Sequence, residues 1–216
     1  MNAMDSPPTL LVLECSPRGE GSTSHRIGRL LVDGLVSRVP RLSVRVRSLC
    51  DQPLPLISAD FALALMTPSD HLDARQRASF ALSDELIAEL AQADLLLIAS
   101  PVHNYSVPVV LKAWIDHVVR VGASFRTTPQ GKIGLLRDRP TLVAVAAGGA
   151  IFDDAPRQPD FFRPYIEAVL KTVGISDIRF VAFDRTAGRT DPLGDAEAWV
   201  RGWIATGLEP HGERSA

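Results

Sequence analysis

Apolar positions in this chain follow two alternating rhythms. One is the short unbroken run: Thr9 to Cys15, interrupted only by Glu14, then Leu95 to Ala99, then Thr141 to Ala147. A strand covered by helices on both faces needs such a run. The other is the three-and-four spacing of a helix with one apolar stripe, as at Ile27, Leu30, Leu31 and Leu35, or at Leu82, Leu86, Ile87 and Leu90. Two segments alternate instead. Leu42 to Leu49 sets Leu42, Val44, Val46 and Leu49 against Arg41, Arg45 and Arg47, which predicts an edge strand with its arginines on a solvated face. Asp177 to Asp184 sets Ile178, Phe180 and Ala182 against Arg179, Val181 and Phe183 and predicts a further strand.

Helices are expected over Ser58–Met66, Asp73–Ala91, Phe161–Val173 with Gly174 as its cap, and Asp195–Thr206. Another follows the Leu95–Ala99 strand. Ser106 reads as its N-cap, Pro108 falls in its first turn, Leu111, Trp114, Ile115, Val118 and Val119 form its stripe, and Gly122 ends it. Ala123 to Gly134 reads as loop, and the chain from His211 as a frayed tail. Strand and helix thus alternate five times with no internal repeat and no Pro/Ser-rich linker. That pattern predicts one α/β domain over residues 1–216, with tails at 1–8 and 210–216. The sheet it implies is a doubly wound, five-stranded parallel one in the flavodoxin-like order 2-1-3-4-5, with helices on both faces.

Composition narrows the function. The 216 residues are 46% hydrophobic, enough for a sizeable core. A net charge of −2 supplies no basic field for nucleic acid or an anionic membrane. No apolar stretch reaches the roughly 18 residues that span a bilayer. Met1 to Pro8 carries no cationic segment followed by an apolar run, so a cytoplasmic protein is expected. Cys15 and Cys50 lie far apart, form no C-x-x-C motif and read as two reduced thiols. The five histidines show no ligand spacing, and no metal site is expected.

In a parallel sheet, ligands bind beyond the carboxyl ends of the strands. In the order 2-1-3-4-5, three loops share that rim. Ser16 to Ser24 reads S-P-R-G-E-G-S-T-S and opens into a helix. Hydroxyls, free backbone N–H groups and the positive end of a helix dipole suit a phosphate there. A capped helix with a polar lead-in would be written in similar letters. The loop is neither a Walker loop nor G-x-G-x-x-G, so one terminal phosphate suits it better than a triphosphate with magnesium. The second loop, Pro101, Val102, His103, Asn104 and Tyr105, offers a surface on which an aromatic ring can stack. The third, ending in Gly148 and Gly149, allows close backbone approach to a flat ligand or makes a tight turn. Together they outline an FMN site.

Four stretches carry a resemblance: L-V-L-E-C-S-P-R-G-E-G-S-T-S, A-L-S-D-E-L-I-A-E-L, S-P-V-H-N-Y-S-V-P-V-V-L-K-A-W-I-D and G-A-S-F-R-T-T. In them, and over nearly its whole length, the chain resembles the FMN-dependent NADH-azoreductases, also described as flavodoxin-fold quinone reductases. The P-x-x-N-[FY] core followed by L-K-x-[WY]-[IF]-D is its most specific part. The resemblance implies that Ser16, Ser22, Thr23 and Ser24 contact the phosphate and ribityl end of FMN. Pro101, Val102, His103, Asn104 and Tyr105 would lie against the isoalloxazine, and Ala146, Ala147, Gly148 and Gly149 would cover its pyrimidine side. It also implies a homodimer in which each flavin lies close to the second subunit.

The chain departs from the family pattern. Ala146-Ala147-Gly148-Gly149 stands where Ser-Arg-Gly-Gly is common, so two side-chain contacts are missing and FMN, though tightly bound, is expected to be partly lost on purification. His103 replaces a tyrosine or tryptophan, Val102 a methionine, and Thr127 a frequent tyrosine. A substrate pocket that includes Phe125 and Thr127 is therefore expected to be less aromatic.

The implied activity is two-electron transfer from NADH or NADPH to quinones or azo compounds by a ping-pong scheme, with the chemistry carried by the flavin and no catalytic side chain. Two other readings remain. A flavodoxin-like one-electron carrier is usually strongly acidic, which −2 does not match. A phosphate-ester hydrolase built on the hydroxyl loop lacks an evident base beside a nucleophile.

Overall fold

The computed structural model describes residues 6–187 together with Ala198 and Gly202. Among the described residues the strands are β1 (Thr9–Glu14), β2 (Ser43–Ser48), β3 (Leu95–Pro101), β4 (Phe125–Thr128), β5 (Gly131–Gly134), β6 (Thr141–Ala146) and β7 (Ile178–Phe183). Its helices are α1 (Thr23–Arg38), α2 (Ala59–Met66), α3 (Ala74–Ser79), α4 (Ala81–Gln92), α5 (Val109–Val118) and α6 (Arg163–Val173). Five of the strands form one parallel sheet in the order β2-β1-β3-β6-β7. Numbered among themselves, they run 2-1-3-4-5. Leu10 lies between Val44 and Leu95, and Val143 between Ile98 and Phe180.

Because successive side chains point to opposite faces, the strands feed two clusters. Leu10, Val12, Leu97, Ala144 and Val181 pack with Ile27, Leu31 and Leu35 of α1. Leu11, Leu13, Leu96, Ile98 and Val143 pack with α4, α5 and α6, through Leu86, Leu90, Trp114, Val118, Ile166 and Leu170. Full burial of each such aliphatic side chain contributes about 1.5–3 kcal/mol. Helix α1 comes very close to the sheet at Gly28, where a Cβ would sit 2.9 Å from the Cβ of Ala99. That contact brings the start of α1 down onto the strand ends.

Several expectations change. The long helix expected over Asp73–Ala91 is two, α3 and α4, broken at Phe80. Asp73 and Gln76 close a capping box at the start of α3. Phe80 sits edge-on to Phe61 with ring centroids 5.0 Å apart, and the Arg120 guanidinium lies 4.3 Å from the centroid of its ring. Those long-range contacts interrupt a pattern that is continuous in the sequence.

The segment 123–134, expected to be loop, holds the antiparallel hairpin of β4 and β5. Its end rests backbone against backbone on the cap of α6: a Cβ on Gly134 would overlap the backbone of Val173 and Gly174. Helix α5 starts at Val109, with Pro108 rather than Ser106 as its N-cap, and it ends at Val118 rather than at Gly122. Ser106 is taken up instead in the reversal that precedes the helix. Arg47 is not on a free face. Its Nε meets Glu89 at 2.8 Å and its Nη2 meets Glu85 at 2.7 Å, tying β2 to α4. The helix expected over Asp195–Thr206 falls outside the described residues except at Ala198 and Gly202.

Candidate functional site

The carboxyl ends of β1, β3, β6 and β7 open onto a cleft of about 350 Å³, within the range of small-molecule sites. From the loop after β1 come Ser16, Pro17, Arg18, Ser22, Thr23 and Ser24; from the end of β3, Pro101, Val102 and His103; from the end of β6, Ala146 and Gly148; from beyond β7, Thr186 and Ala187. All three rim loops read from the sequence therefore meet there.

The hydroxyl-rich end is built by the start of α1. A single 3₁₀ turn, Gly19–Gly21, delivers the chain to Ser22, the N-cap, whose side chain makes no capping hydrogen bond. Instead the hydroxyls of Ser22 and Ser24 meet at 3.0 Å, and Ser22, Thr23 and Ser24 are all buried. The first N–H groups of α1 thus have no side-chain acceptor from the N-cap, at the positive end of the helix dipole. No carboxylate lines the cleft among the described residues, and Arg18 brings a cation to it. This donor set suits an anion. A second cleft, of about 260 Å³ and bordered by His25, Gly28 and Arg29 of α1, contrasts with it: Glu14 and Asp33 line it, a poor setting for phosphate.

Beyond Val102 the chain makes a tight reversal. His103 and Ser106 exchange backbone hydrogen bonds, His103 N to Ser106 O at 2.9 Å and Ser106 N to His103 O at 3.0 Å. The two residues between them, Asn104 and Tyr105, have φ of +48° and +70°. Two successive left-handed residues closed by such a pair make a type I′ turn. Asparagine tolerates that conformation; tyrosine is strained in it. Neither lines the cleft, and Tyr105 is 45% exposed at the tip of the turn.

On the opposite rim Ala146 and Gly148 line the cleft, whereas Ala147 is fully buried and belongs to the core cluster of Val145, Ile151 and Phe152. Gly149 follows Gly148 and does not line the cleft. The substrate pocket expected at Phe125 and Thr127 is not part of this cleft either. Both residues lie on β4, Phe125 buried with the Lys132 ammonium 4.9 Å from its ring centroid.

The residues that sequence reading left out are Pro17, Arg18, Thr186 and Ala187. Thr186 and Ala187 follow the end of β7, so the rule that ligands gather at strand ends could have found them. Thr186 is held by its N–H and its hydroxyl, each 3.0 Å from the Ala147 carbonyl. Cys15, directly before Ser16, is fully buried and forms no disulfide. Burial first, then the nearby Cys50 thiol, push its pKa up, a hydrogen bond with Ser100 opposing them.

A parallel sheet in this order, with a hydroxyl-lined, acid-free cleft at its carboxyl ends, defines a flavodoxin-like protein. The chain belongs to the flavodoxin-like fold family, whose model matches residues 8–205. Within it, the chain is 42% identical over 199 residues to an FMN-dependent NADH:quinone oxidoreductase of Cupriavidus pinatubonensis, covering 92% of this chain and 97% of that protein. It is 44% identical over 171 residues to one of Pseudomonas fluorescens, covering 79% and 81%. Among solved structures it is similar to an FMN-dependent NADH-azoreductase of Bacillus anthracis in complex with FMN. The TM-score is 0.80 at 22% identity, with 92% of this chain and 98% of that one covered. At that identity the likeness shows the fold.

Proposed function

We propose that the chain is an FMN-dependent oxidoreductase that moves two electrons from NADH to a quinone or an azo compound. One observation carries this reading: the acid-free, hydroxyl-lined cleft lies at the carboxyl ends of the strands in a chain 42% identical, over nearly its whole length, to an FMN-dependent NADH:quinone oxidoreductase. The donor set fits the cofactor. Ser16, Ser22, Thr23, Ser24 and the N-terminus of α1 would hold its phosphate, and Arg18 would offset the charge. Pro101, Val102 and His103, with Asn104 and Tyr105 on the turn beyond, would border the ring. Gly148 and Gly149 would address the ring's polar edge through their backbone N–H groups.

Bound there, FMN would supply the redox chemistry, hydride acceptance from the reduced nicotinamide and two-electron delivery to the acceptor. The protein's part would be to hold the ring and keep carboxylates away from the phosphate. We infer that donor and acceptor would use the cleft in turn, a ping-pong scheme. We further infer one doubly wound domain, on the strength of its two core clusters; a homodimer; and a cytoplasmic location, with which two unpaired cysteines accord.

The test begins with the spectrum of the purified protein and the mass of the ligand released by heat. FMN with a flavin spectrum is the expected result; FAD, or no flavin after reconstitution, overturns the reading. Initial rates with NADH and a quinone should give parallel lines, and intersecting lines remove the ping-pong scheme. Sizing chromatography of the active protein should give a dimer; a fully active monomer removes the shared-site idea. No helix among the described residues is long and apolar enough to cross a membrane.

A further inference from the structure

The geometry points to Asp184 as the residue that positions the loop presenting the backbone donor of Gly148 at the cleft. Asp184 directly follows β7 and is 6% exposed. Its Oδ2 accepts three successive backbone hydrogen bonds, from Ile151 N at 2.9 Å, Phe152 N at 2.6 Å and Asp153 N at 2.9 Å. Three consecutive amides converge on one oxygen only when the chain curls around it as an anion nest. The other oxygen, Oδ1, is buried with no partner among the described residues. A buried acceptor left unpaired is costly, and its retention calls for a role.

The residues after Asp184 grip the same loop. Thr186 N reaches the Ala147 carbonyl and Arg185 N the Gly149 carbonyl, each at 3.0 Å. The Arg185 guanidinium meets the Asp153 carboxylate at 2.6 Å. The Ala150 carbonyl accepts from Arg157 N at 3.0 Å and Gln158 N at 3.1 Å. The carbonyls of Ala147, Gly149 and Ala150 and the N–H groups of Ile151, Phe152 and Asp153 are therefore used inside the protein.

The N–H groups of Gly148 and Gly149 meet no acceptor among the described residues, and Gly148 lines the cleft. Asp184 folds the second half of the loop inward, which leaves the Gly148 amide free at the cleft. Ala146 and Ala147 carry no side-chain donor, so backbone amides are what this part of the rim can offer a ring. Asp184 does not line the cleft. It acts through the loop, and the inference rests on the proposal that FMN occupies the cleft.

The test compares two ligands that share the ring and differ in the phosphate. FMN and riboflavin are titrated, by quenching of flavin fluorescence, into the full chain freed of bound flavin, as wild type, Asp184→Ala and Asp184→Asn. Asp184→Ala should weaken both by the same factor, about tenfold or more. Asp184→Asn, which keeps an acceptor oxygen for the three amides, should restore most of the affinity. A general loss of structure does not predict that pattern, and circular dichroism shows whether the variants are folded.

Hydrogen exchange on the wild type gives a second measurement that needs no variant. The amides of Ile151, Phe152 and Asp153 should be protected with or without FMN, that of Gly148 only with it. Unchanged affinity in Asp184→Ala, a loss confined to FMN, or fast exchange at Gly148 in the complex overturns the inference while leaving FMN binding in place. A wild type that binds neither flavin overturns the reading of the cleft itself.

Discussion

The hydroxyls of Ser22 and Ser24 face each other 3.0 Å apart at the start of α1, both buried, with the N-cap side chain making no capping bond. A serine at this position usually satisfies the helix; this one satisfies another serine. The pair is therefore available to an anion without loss of a cap. Ser24→Ala should weaken FMN about tenfold, since a hydrogen bond to a charged group contributes about 1.5–3 kcal/mol. Riboflavin, which lacks the phosphate, should bind Ser24→Ala as it binds the wild type. Calorimetric titration of both ligands checks this, and equal losses would assign the serines a structural role.

Tyr105 gives the second prediction. Its φ of +70° is strained for a tyrosine, and 45% of its surface is exposed, so little burial offsets the strain. Tyr105→Gly should raise stability in the absence of flavin by up to about 1 kcal/mol, seen as a rise in melting temperature of about 2–4 °C. A fall would mean that the ring contributes packing worth more than the strain. With FMN bound, the same variant should lose part of the ligand-induced increase in melting temperature if the turn borders the flavin.

Gly134 and Gly174 supply the third. A methyl on Gly134 would overlap backbone atoms of Gly174 and Val173, which cannot swing aside as a side chain would. Gly134→Ala should destabilise the protein by about 1–3 kcal/mol or more. Denaturant titration measures it, and a neutral result would show that the hairpin can lift off α6 at no cost.

The fourth concerns acid. Asp138 accepts hydrogen bonds from the Ser176 hydroxyl, from Ser176 N and Arg139 N at 2.8 Å each, and from Asp177 N at 3.3 Å. The Ser176 hydroxyl first, then its N–H, hold the Asp138 carboxyl at about 2, below its ordinary 3.8. A pKa lowered in the folded state stabilises fully above the unfolded value and is lost as pH falls towards the folded one. The melting temperatures of wild type and Asp138→Asn should therefore differ most above about pH 4 and converge as pH falls to about 2. A constant difference across that window would show that the carboxyl is not held down.

Much of the fold was legible because buried parallel strands leave unbroken apolar runs. Leu95 to Ala99 could scarcely be anything else, and the alternation of such runs with helical stripes carried the strand order. The break at Phe80 was not legible, because an aromatic residue continues a helical stripe as well as leucine does. Its interruption comes from Phe61 and Arg120, distant in sequence. The β4–β5 hairpin was hidden for the opposite reason: its strands are only four residues each and largely exposed, so they show no apolar pattern.

At the cleft, the hydroxyl loop and Gly148 announced themselves by composition. Ala147 did not announce that its methyl belongs to the core, since a loop reads as a list of residues and not of directions. Asp184 looked like the last letter of a strand, and its grip on Ile151, Phe152 and Asp153 exists only in three dimensions.

Cys15 adjoins Ser16, at the edge of a cleft proposed to receive quinones. Quinones are electrophiles that form covalent adducts with thiols, and the thiolate is the form that attacks. Burial keeps the Cys15 sulfur protonated and out of reach. A chain that reduces quinones can thus carry a cysteine one residue from its cleft without that thiol being arylated by what it reduces.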